Sequence, residues 1–117
     1  MAAKSDTYVP DASDIVWLAF DPTRANEQRG RRPALVFSAR HLSKLTELSL
    51  VAPLTSTIRG WSTQVELPAG MAIGGAIMVE QTRAVNYSER GAQFICRVPE
   101  SVLAQAREIL AVIAGIK

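Results

Sequence analysis

The segment Asp14-Ile-Val-Trp-Leu-Ala-Phe20, closed by the turn signal Asp21-Pro22, decides the fold class of this chain. It is a short run rich in the β-branched and aromatic residues that favour strands. Five more short runs follow, and a turn of helix is expected within residues 39–46. Strands at this close spacing predict a mainly β protein, built as a small antiparallel barrel or sandwich. The predicted strands are residues 14–20, 33–38, 48–54, 63–67, 76–79 and 93–98.

The end of the chain changes to a helical period. Apolar residues recur three and four apart, and they predict a helix with Pro99 as its first residue and Gly115 as its stop. Ala111, Val112 and Ile116 widen the apolar surface beyond one stripe. Two interpretations stay open, a helix covered by its own core or a helix shared with a second copy of the chain. The stripe consists of Val102, Leu103, Ala106, Ile109, Leu110 and Ile113.

Length and composition exclude several classes of protein. The chain has 117 residues, 48% of them hydrophobic, which is the balance of one folded domain. Residues 1–7 are polar and predict a flexible tail rather than a signal peptide, and the longest uncharged stretch, residues 67–79, is too short to span a bilayer. We therefore expect a cytoplasmic protein without a membrane partner. The single Cys96 and single His41 exclude an internal disulfide, a multi-thiolate metal site and paired-histidine catalysis, so neither a metal nor a cofactor is expected.

The positions of the arginines are more informative about a possible ligand than the net charge of +2. The chain has ten arginines and three lysines, and Arg24, Arg29, Arg31 and Arg32 fall within nine residues, opposed by Glu27. The planar guanidinium fork suits phosphate oxygens, so the cluster indicates a phosphate-binding loop. A GC-rich genome that favours arginine codons, with the arginines carried on a solvated loop, would explain the same cluster, and composition leaves both interpretations open.

Two segments of the sequence could together form a catalytic site. Residues 27–33 place an acid, an amide and several guanidiniums where a loop meets a strand, and residues 53–56 end another strand with two hydroxyls. RNA supplies its own nucleophile, the 2′-hydroxyl, so Glu27 could take its proton, Arg32 could neutralise the phosphate charge and Thr55 could hold an oxygen. The same residues also fit an alternative without catalysis, in which Glu27 forms a surface ion pair with a nearby arginine and Thr55 only ends a strand.

At these residues the sequence resembles the MazF/PemK family of toxin–antitoxin ribonucleases. The match covers nearly the whole chain in the right order and spacing, and the ordered set is far more specific than any one motif. Ser13, Ser62, Glu80 and Arg83 depart from the family's common residues. The matching segments are residues 8–11, 13–17, 20–23, 27–28, 31–36, 53–56, 60, 65–67 and 80–84.

The resemblance implies a fold and an activity. The fold is one toxin domain over residues 1–117, an SH3-like β-barrel with short helices and a C-terminal helix, in a symmetric homodimer. The activity is sequence-specific, metal-independent cleavage of single-stranded RNA, mainly messenger RNA, giving 2′,3′-cyclic phosphate and 5′-hydroxyl ends and so inhibiting translation and growth. The family's catalytic residues fall on Arg32, Thr55 and Glu27.

The resemblance also implies an RNA-binding surface and a second partner. That partner is a MazE-like antitoxin with an acidic tail. The toxin would contact DNA only indirectly, through this antitoxin. Trp61 and Tyr87 could stack on unpaired bases or cover an end of the barrel. The residues expected to bind RNA are Gln28, Arg29, Arg31, Ser56, Arg59, Trp61, Gln81 and Arg83.

Two alternatives belong to other functional classes. CcdB-like toxins share the fold but poison gyrase through the end of their C-terminal helix, typically with a tryptophan near the chain end. This chain ends Ala-Gly-Ile-Lys117 without that tryptophan. A regulator that binds RNA or DNA without cleaving it is the other alternative, and an activity assay separates it from a nuclease.

Overall fold

An antiparallel sheet and two helices form the fold of residues 8–20 and 30–116, which the computed structural model describes. In chain order the elements are β1 (Asp14–Ala19), β2 (Arg31–Val36), α1 (Arg40–Thr46), β3 (Leu48–Thr55), β4 (Gln64–Glu66), β5 (Ala76–Met78), a 3-10 turn (Val79–Gln81), β6 (Arg83–Asn86), β7 (Gln93–Arg97) and α2 (Glu100–Ile113). The strands lie in the order β4-β5-β3-β2-β1-β7, and β6 also pairs with β3.

The long strand β3 organises the sheet. One edge pairs with β2. The other edge pairs with β6 over Leu48 to Val51 and with β5 at Leu54 and Thr55. The 3-10 turn carries the chain from β5 to β6, so this edge is left without a paired strand beside Pro53.

The barrel prediction needs one correction, because the sheet is not closed. β4 and β7 are its two end strands, and no pairing joins them within the described residues. Val65 of β4 packs in the same core as Val102 and Leu103 of α2. In a closed barrel the two end strands, β4 and β7, would pair with each other. Here α2 packs against the core beside β4 instead.

Both faces of the central strands are buried. Ile15, Leu35 and Ala52 belong to the core beneath α2, while Val16 and Val36 belong to a second core on the opposite face. Side chains alternate along a strand, so only an almost continuous apolar run can fill both cores. This explains why the segments at residues 14–20 and 33–38 predict strands so clearly.

The C-terminal helix follows its predicted stripe, with a shift at its start. Pro99 is extended and caps the helix, which begins at Glu100 rather than at the proline. Val102, Leu103 and Ala106 are buried, whereas Val112 and Ile116 in and after the last turn are exposed. Neither helix in the described ranges is long and apolar enough to cross a membrane.

One aromatic residue and one strand differ from the sequence expectations, and the structure decides between two expectations for a second aromatic residue. Trp17 lies within a predicted strand, where a core position is expected for a tryptophan, but it is 38% exposed, because the helix covers Ile15 on this strand face and leaves Trp17 partly uncovered. Of the two roles left open for Tyr87, covering the protein rather than stacking on a base fits the structure, because the residue is only 7% exposed. The strand β6 was not predicted from the sequence, because Val85 is its one buried residue and the apolar signal is weak.

Candidate active site

The ends of β2 and β3 bring Arg32 and Thr55 together. Ala34 faces Pro53 in this antiparallel pair, and continuing the register by two residues places Arg32 opposite Thr55. Side chains that face each other across a strand pair lie within contact range on one face. This register therefore supports the prediction that Arg32 and Thr55 act together.

Two open pockets meet at Arg32. The first has a volume of about 610 Å³ and lies in the gap between β5 and β6. The second, of about 470 Å³, lies along the end of β3. The first pocket is lined by Phe20, Gly30, Arg32, Pro53, Gln81, Thr82 and Arg83, and the second by Arg32, Pro33, Leu54, Thr55, Ser56, Ile73 and Gly74. The described lining contains arginine, hydroxyl and amide groups and no carboxylate, which suits an anionic ligand.

The guanidinium of Arg32 is exposed, and it makes no hydrogen bond or ion pair with any described residue. Every other arginine within residues 8–20 and 30–116 contacts a protein group. A charge left without a protein partner between two pockets is available to a phosphate. The other arginines and their contacts are Arg31 with Gly91 and Gln93, Arg40 with Val9, Arg59 with Trp61, Arg83 and Arg90 with Phe20, Arg97 with Asp14, and Arg107 with Phe37.

Arg31 lies next to Arg32 in the sequence but binds elsewhere. Successive side chains of a strand point to opposite faces. Its Nη2 donates to the Gly91 carbonyl and, over 3.0 Å, to Oε1 of Gln93. Arg31 thus joins the start of β2 to the loop before β7 and lines neither pocket, although it was expected to bind RNA.

The hydroxyl of Thr55 is oriented by its own turn. Its Oγ1 accepts a hydrogen bond of 3.1 Å from the backbone N–H of Thr57. A hydroxyl has one proton and two lone pairs, so this contact leaves the proton available to a ligand oxygen. Ser56 follows on the exposed side of the same pocket.

Gly75 lies against the backbone that carries Thr55. It has a φ of +115°, and a Cβ at this position would lie 2.5 Å from the Thr55 carbonyl oxygen. The structure shows that this glycine permits the close approach of β5 to the end of β3.

Two of the residues expected to bind RNA line the first pocket, Gln81 and Arg83. The guanidinium of Arg83 lies 4.6 Å from the ring centroid of Phe20, and its Nη2 donates to the Phe20 carbonyl over 3.2 Å. Phe20 and Thr82 line this pocket too and were not predicted as site residues. Phe20 was read only as the end of a strand, and Thr82 carried no separate signal.

Arg59 and Trp61 form a separate exposed pair on the loop between β3 and β4. The guanidinium carbon of Arg59 lies 5.2 Å from the ring centroid of Trp61, which is 53% exposed. An arginine over an exposed indole offers a surface on which a base can stack. Neither residue lines the two pockets.

The remaining site residues of the sequence analysis are Glu27, Gln28 and Arg29. They lie outside the described residues, as do the predicted N-terminal tail at residues 1–7 and Arg24. Their roles stay predictions, and the pockets are described without them.

Groups with shifted pKa values lie away from the pockets. Burial and a hydrogen bond to Asp14 raise the pKa of the Tyr8 phenol. The backbone N–H of Arg40 lowers the pKa of the Asp11 carboxyl. Burial raises the pKa of the Cys96 thiol. Tyr8 and Asp11 tie the start of the described chain to β1 and α1, and Cys96 lies in β7, so none of the three lines the candidate site.

Comparison with known families decides the classification. Residues 11–114 match the PemK-like, MazF-like toxins of type II toxin–antitoxin systems. The chain belongs to this family. The resemblance based on the ordered motifs is therefore confirmed, and the family match covers both Arg32 and Thr55.

Individual family members are similar over most of their length. The chain is 36% identical over 85 residues to endoribonuclease toxin MazF of Escherichia coli, covering 73% of this chain and 76% of that protein. The crystal structure of MazF from Deinococcus radiodurans is 38% identical with a TM-score of 0.84, covering 93% of this chain and 99% of that one. The MazE–MazF complex from the same organism gives 35% identity and a TM-score of 0.83, covering 93% and 98%. The mainly β, MazF-like fold with a C-terminal helix is thus confirmed.

Proposed function

We propose that this MazF/PemK family member is an endoribonuclease toxin that cleaves single-stranded RNA. The observation that carries the proposal is the guanidinium of Arg32, which has no described protein partner, lines both pockets and shares the second pocket with Thr55. Related proteins named as endoribonuclease toxins support the activity and favour it over the gyrase-poisoning alternative.

The proposed chemistry uses Arg32 and Thr55, which line the pockets, together with Glu27, which lies outside the described residues. The RNA 2′-hydroxyl loses its proton and its oxygen attacks the adjacent phosphorus. The bond from phosphorus to the 5′-oxygen breaks, and that oxygen takes a proton from solvent water, which gives a 2′,3′-cyclic phosphate and a 5′-hydroxyl. Arg32 neutralises the charge that develops on the phosphate, because a fixed guanidinium stabilises a crowded anionic transition state. Thr55 donates to a non-bridging oxygen, and Glu27 is assigned the proton of the 2′-hydroxyl.

Arg32 is assigned charge stabilisation before proton transfer. A guanidinium titrates above about 12, so it is a poor proton donor at neutral pH. Gln81 and Arg83 in the first pocket, and the Arg59–Trp61 pair on the neighbouring loop, are proposed to hold the flanking nucleotides. Ser56, Gln28, Arg29 and Arg31 complete the proposed RNA-binding set.

Two protein partners are part of the proposal. A second copy of the chain would cover the exposed apolar residues Val112, Ile113 and Ile116 of the C-terminal helix, giving a homodimer. A MazE-like antitoxin with an acidic tail would restrain the toxin, as supported by the MazE–MazF complexes of relatives. We place the protein in the cytoplasm, where messenger RNA is translated, with DNA reached only through the antitoxin.

The test is cleavage of a long single-stranded RNA in excess EDTA. The wild-type protein should cut at defined sites, and the new 5′ ends should accept phosphate from a polynucleotide kinase without prior phosphatase treatment. Arg32→Ala and Thr55→Ala should each lose about 10²–10³ in rate while remaining folded, because each removes a transition-state contact. Arg32→Lys should fail as well, since a point charge does not reproduce the fork.

The matched control is Arg107→Ala, which removes one positive charge on α2, away from both pockets. It should cut at nearly the wild-type rate. A strict requirement for magnesium, or wild-type rates in both alanine variants of the site, would refute the proposed mechanism.

A further inference from the structure

The loop between β3 and β4 is organised around one side chain that no motif singles out. Gln64 is the first residue of β4, where it pairs with Met78 of β5. Its side chain is half-buried beneath a loop whose residues 56–62 are all exposed. The loop carries both the end of the predicted active site and the Arg59–Trp61 pair.

Gln64 contacts every second residue of this loop. Its Nε2 donates to the Thr57 carbonyl over 3.3 Å, and its Oε1 accepts from the Arg59 backbone N–H over 2.9 Å. Its own backbone N–H donates to the Trp61 carbonyl over 3.0 Å. A carbonyl only accepts and an N–H only donates, so the two ends of the amide are matched to their partners in one orientation.

One of these contacts leads to the predicted catalytic hydroxyl. The Thr57 carbonyl accepts from Gln64, and the Thr57 backbone N–H donates to Oγ1 of Thr55 over 3.1 Å. Holding the Thr57 backbone keeps this N–H on the Thr55 oxygen, which leaves the hydroxyl proton free for the ligand. The second contact holds Arg59, whose guanidinium lies over the Trp61 ring.

We infer that Gln64 is a positioning residue for RNA cleavage. Its side-chain amide orders the loop from Ser56 to Thr63, and it thereby orients the Thr55 hydroxyl and presents the Arg59–Trp61 pair to a base of the RNA. The inference rests on the proposed function for its catalytic consequence, while the ordering of the loop stands on the hydrogen bonds alone. Gln64 is expected to touch neither the phosphate nor the reacting atoms.

The shape-matched variant Gln64→Met removes both side-chain hydrogen bonds with little change in volume. Backbone ¹⁵N order parameters of Thr57, Arg59 and Trp61 should fall from about 0.85 to below about 0.6, the range of a flexible segment. The kcat should fall about five- to tenfold because the Thr55 hydroxyl loses its orientation, and KM should rise because the stacking pair is no longer held. Gln105→Met is the matched control, because it makes the same exchange at an exposed position of α2. It should leave the order parameters, kcat and KM unchanged.

Gln64→Glu separates the two contacts and also serves if the methionine variant does not fold. An ionised carboxylate still accepts from the Arg59 N–H but cannot donate to the Thr57 carbonyl. The order parameter of Arg59 should then stay high while that of Thr57 and the kcat both fall.

The two proposals fail in different ways. Wild-type loop order and wild-type kcat in Gln64→Met would overturn the role of Gln64, and so would a fall in Tm without any change in the kcat and KM of the folded protein. If the wild-type protein does not cleave RNA, the proposed function fails, and the order parameters still decide whether Gln64 orders the loop.

Discussion

The arginines of this chain divide by what they contact. Seven of those in the described residues bind backbone carbonyls, a carboxylate, a side-chain amide or an aromatic ring, and these contacts join neighbouring segments of the fold. Arg32 alone among them projects between two pockets without such a contact. The cluster in the sequence therefore contains Arg31, which joins two segments of the fold, beside Arg32, which we propose to bind the phosphate.

Ser13 gives a stability prediction for a single residue. It has a φ of +82°, a left-handed conformation that is unfavourable for residues with a Cβ, and it is buried at the turn before β1. Ser13→Gly should raise the free energy of unfolding by about 0.5–1 kcal/mol, because relief of the backbone strain exceeds the added freedom of the unfolded chain. Urea unfolding measures this change. Ser13→Ala keeps the strain and should give no gain, and a gain equal to that of glycine would contradict the argument.

The approach of β5 to β3 gives a prediction for a pair of strands. Gly75→Ala would place a Cβ 2.5 Å from the Thr55 carbonyl oxygen, so the end of β3 must move. Gly70→Ala is a matched control, because Gly70 also has a positive φ but has open space around its Cβ position. Both variants carry the backbone strain of about 1–3 kcal/mol, and Gly75→Ala adds the collision. We expect Gly75→Ala, but not Gly70→Ala, to lose most of its RNA cleavage rate. Urea unfolding of both variants shows whether each is folded under the assay conditions. Equal cleavage rates in the two folded variants would show that the active site tolerates the shift of Thr55.

The strands with continuous apolar runs could be predicted because two cores bury both of their faces. β6 could not, since only Val85 is buried and its pairing with β3 is a long-range contact. The motifs and the family resemblance led to Arg32 and Thr55, and the register of β2 and β3 brings them together. The first pocket and Phe20 could not be predicted, because the gap exists only where β5 and β6 share one edge of β3. Gln64 was missed because a lone glutamine carries no motif, and its role depends on the folded loop.

At the scale of the whole molecule, we propose that RNA and an acidic antitoxin would bind one shared surface. Its described guanidiniums include Arg32 and Arg83 in the first pocket and Arg59 on the neighbouring loop. A disordered acidic tail could fold along this surface and exclude RNA, because both ligands need the same positive charges. The MazE–MazF complexes of relatives support an antitoxin as the restraining partner. We therefore expect direct competition between the cognate antitoxin and RNA.

A fluorescent RNA that cannot be cleaved, with its 2′-hydroxyls replaced by methoxy groups, measures this competition. Increasing antitoxin should displace the RNA completely, and higher salt should slow antitoxin association, because charge attraction that accelerates capture is screened over about 10 Å at 0.1 M ionic strength. Arg32→Ala should weaken RNA binding and antitoxin capture together, whereas Arg107→Ala should change neither. A ternary complex with unchanged RNA affinity would exclude competition, and the antitoxin would then have to restrain the toxin from a different surface.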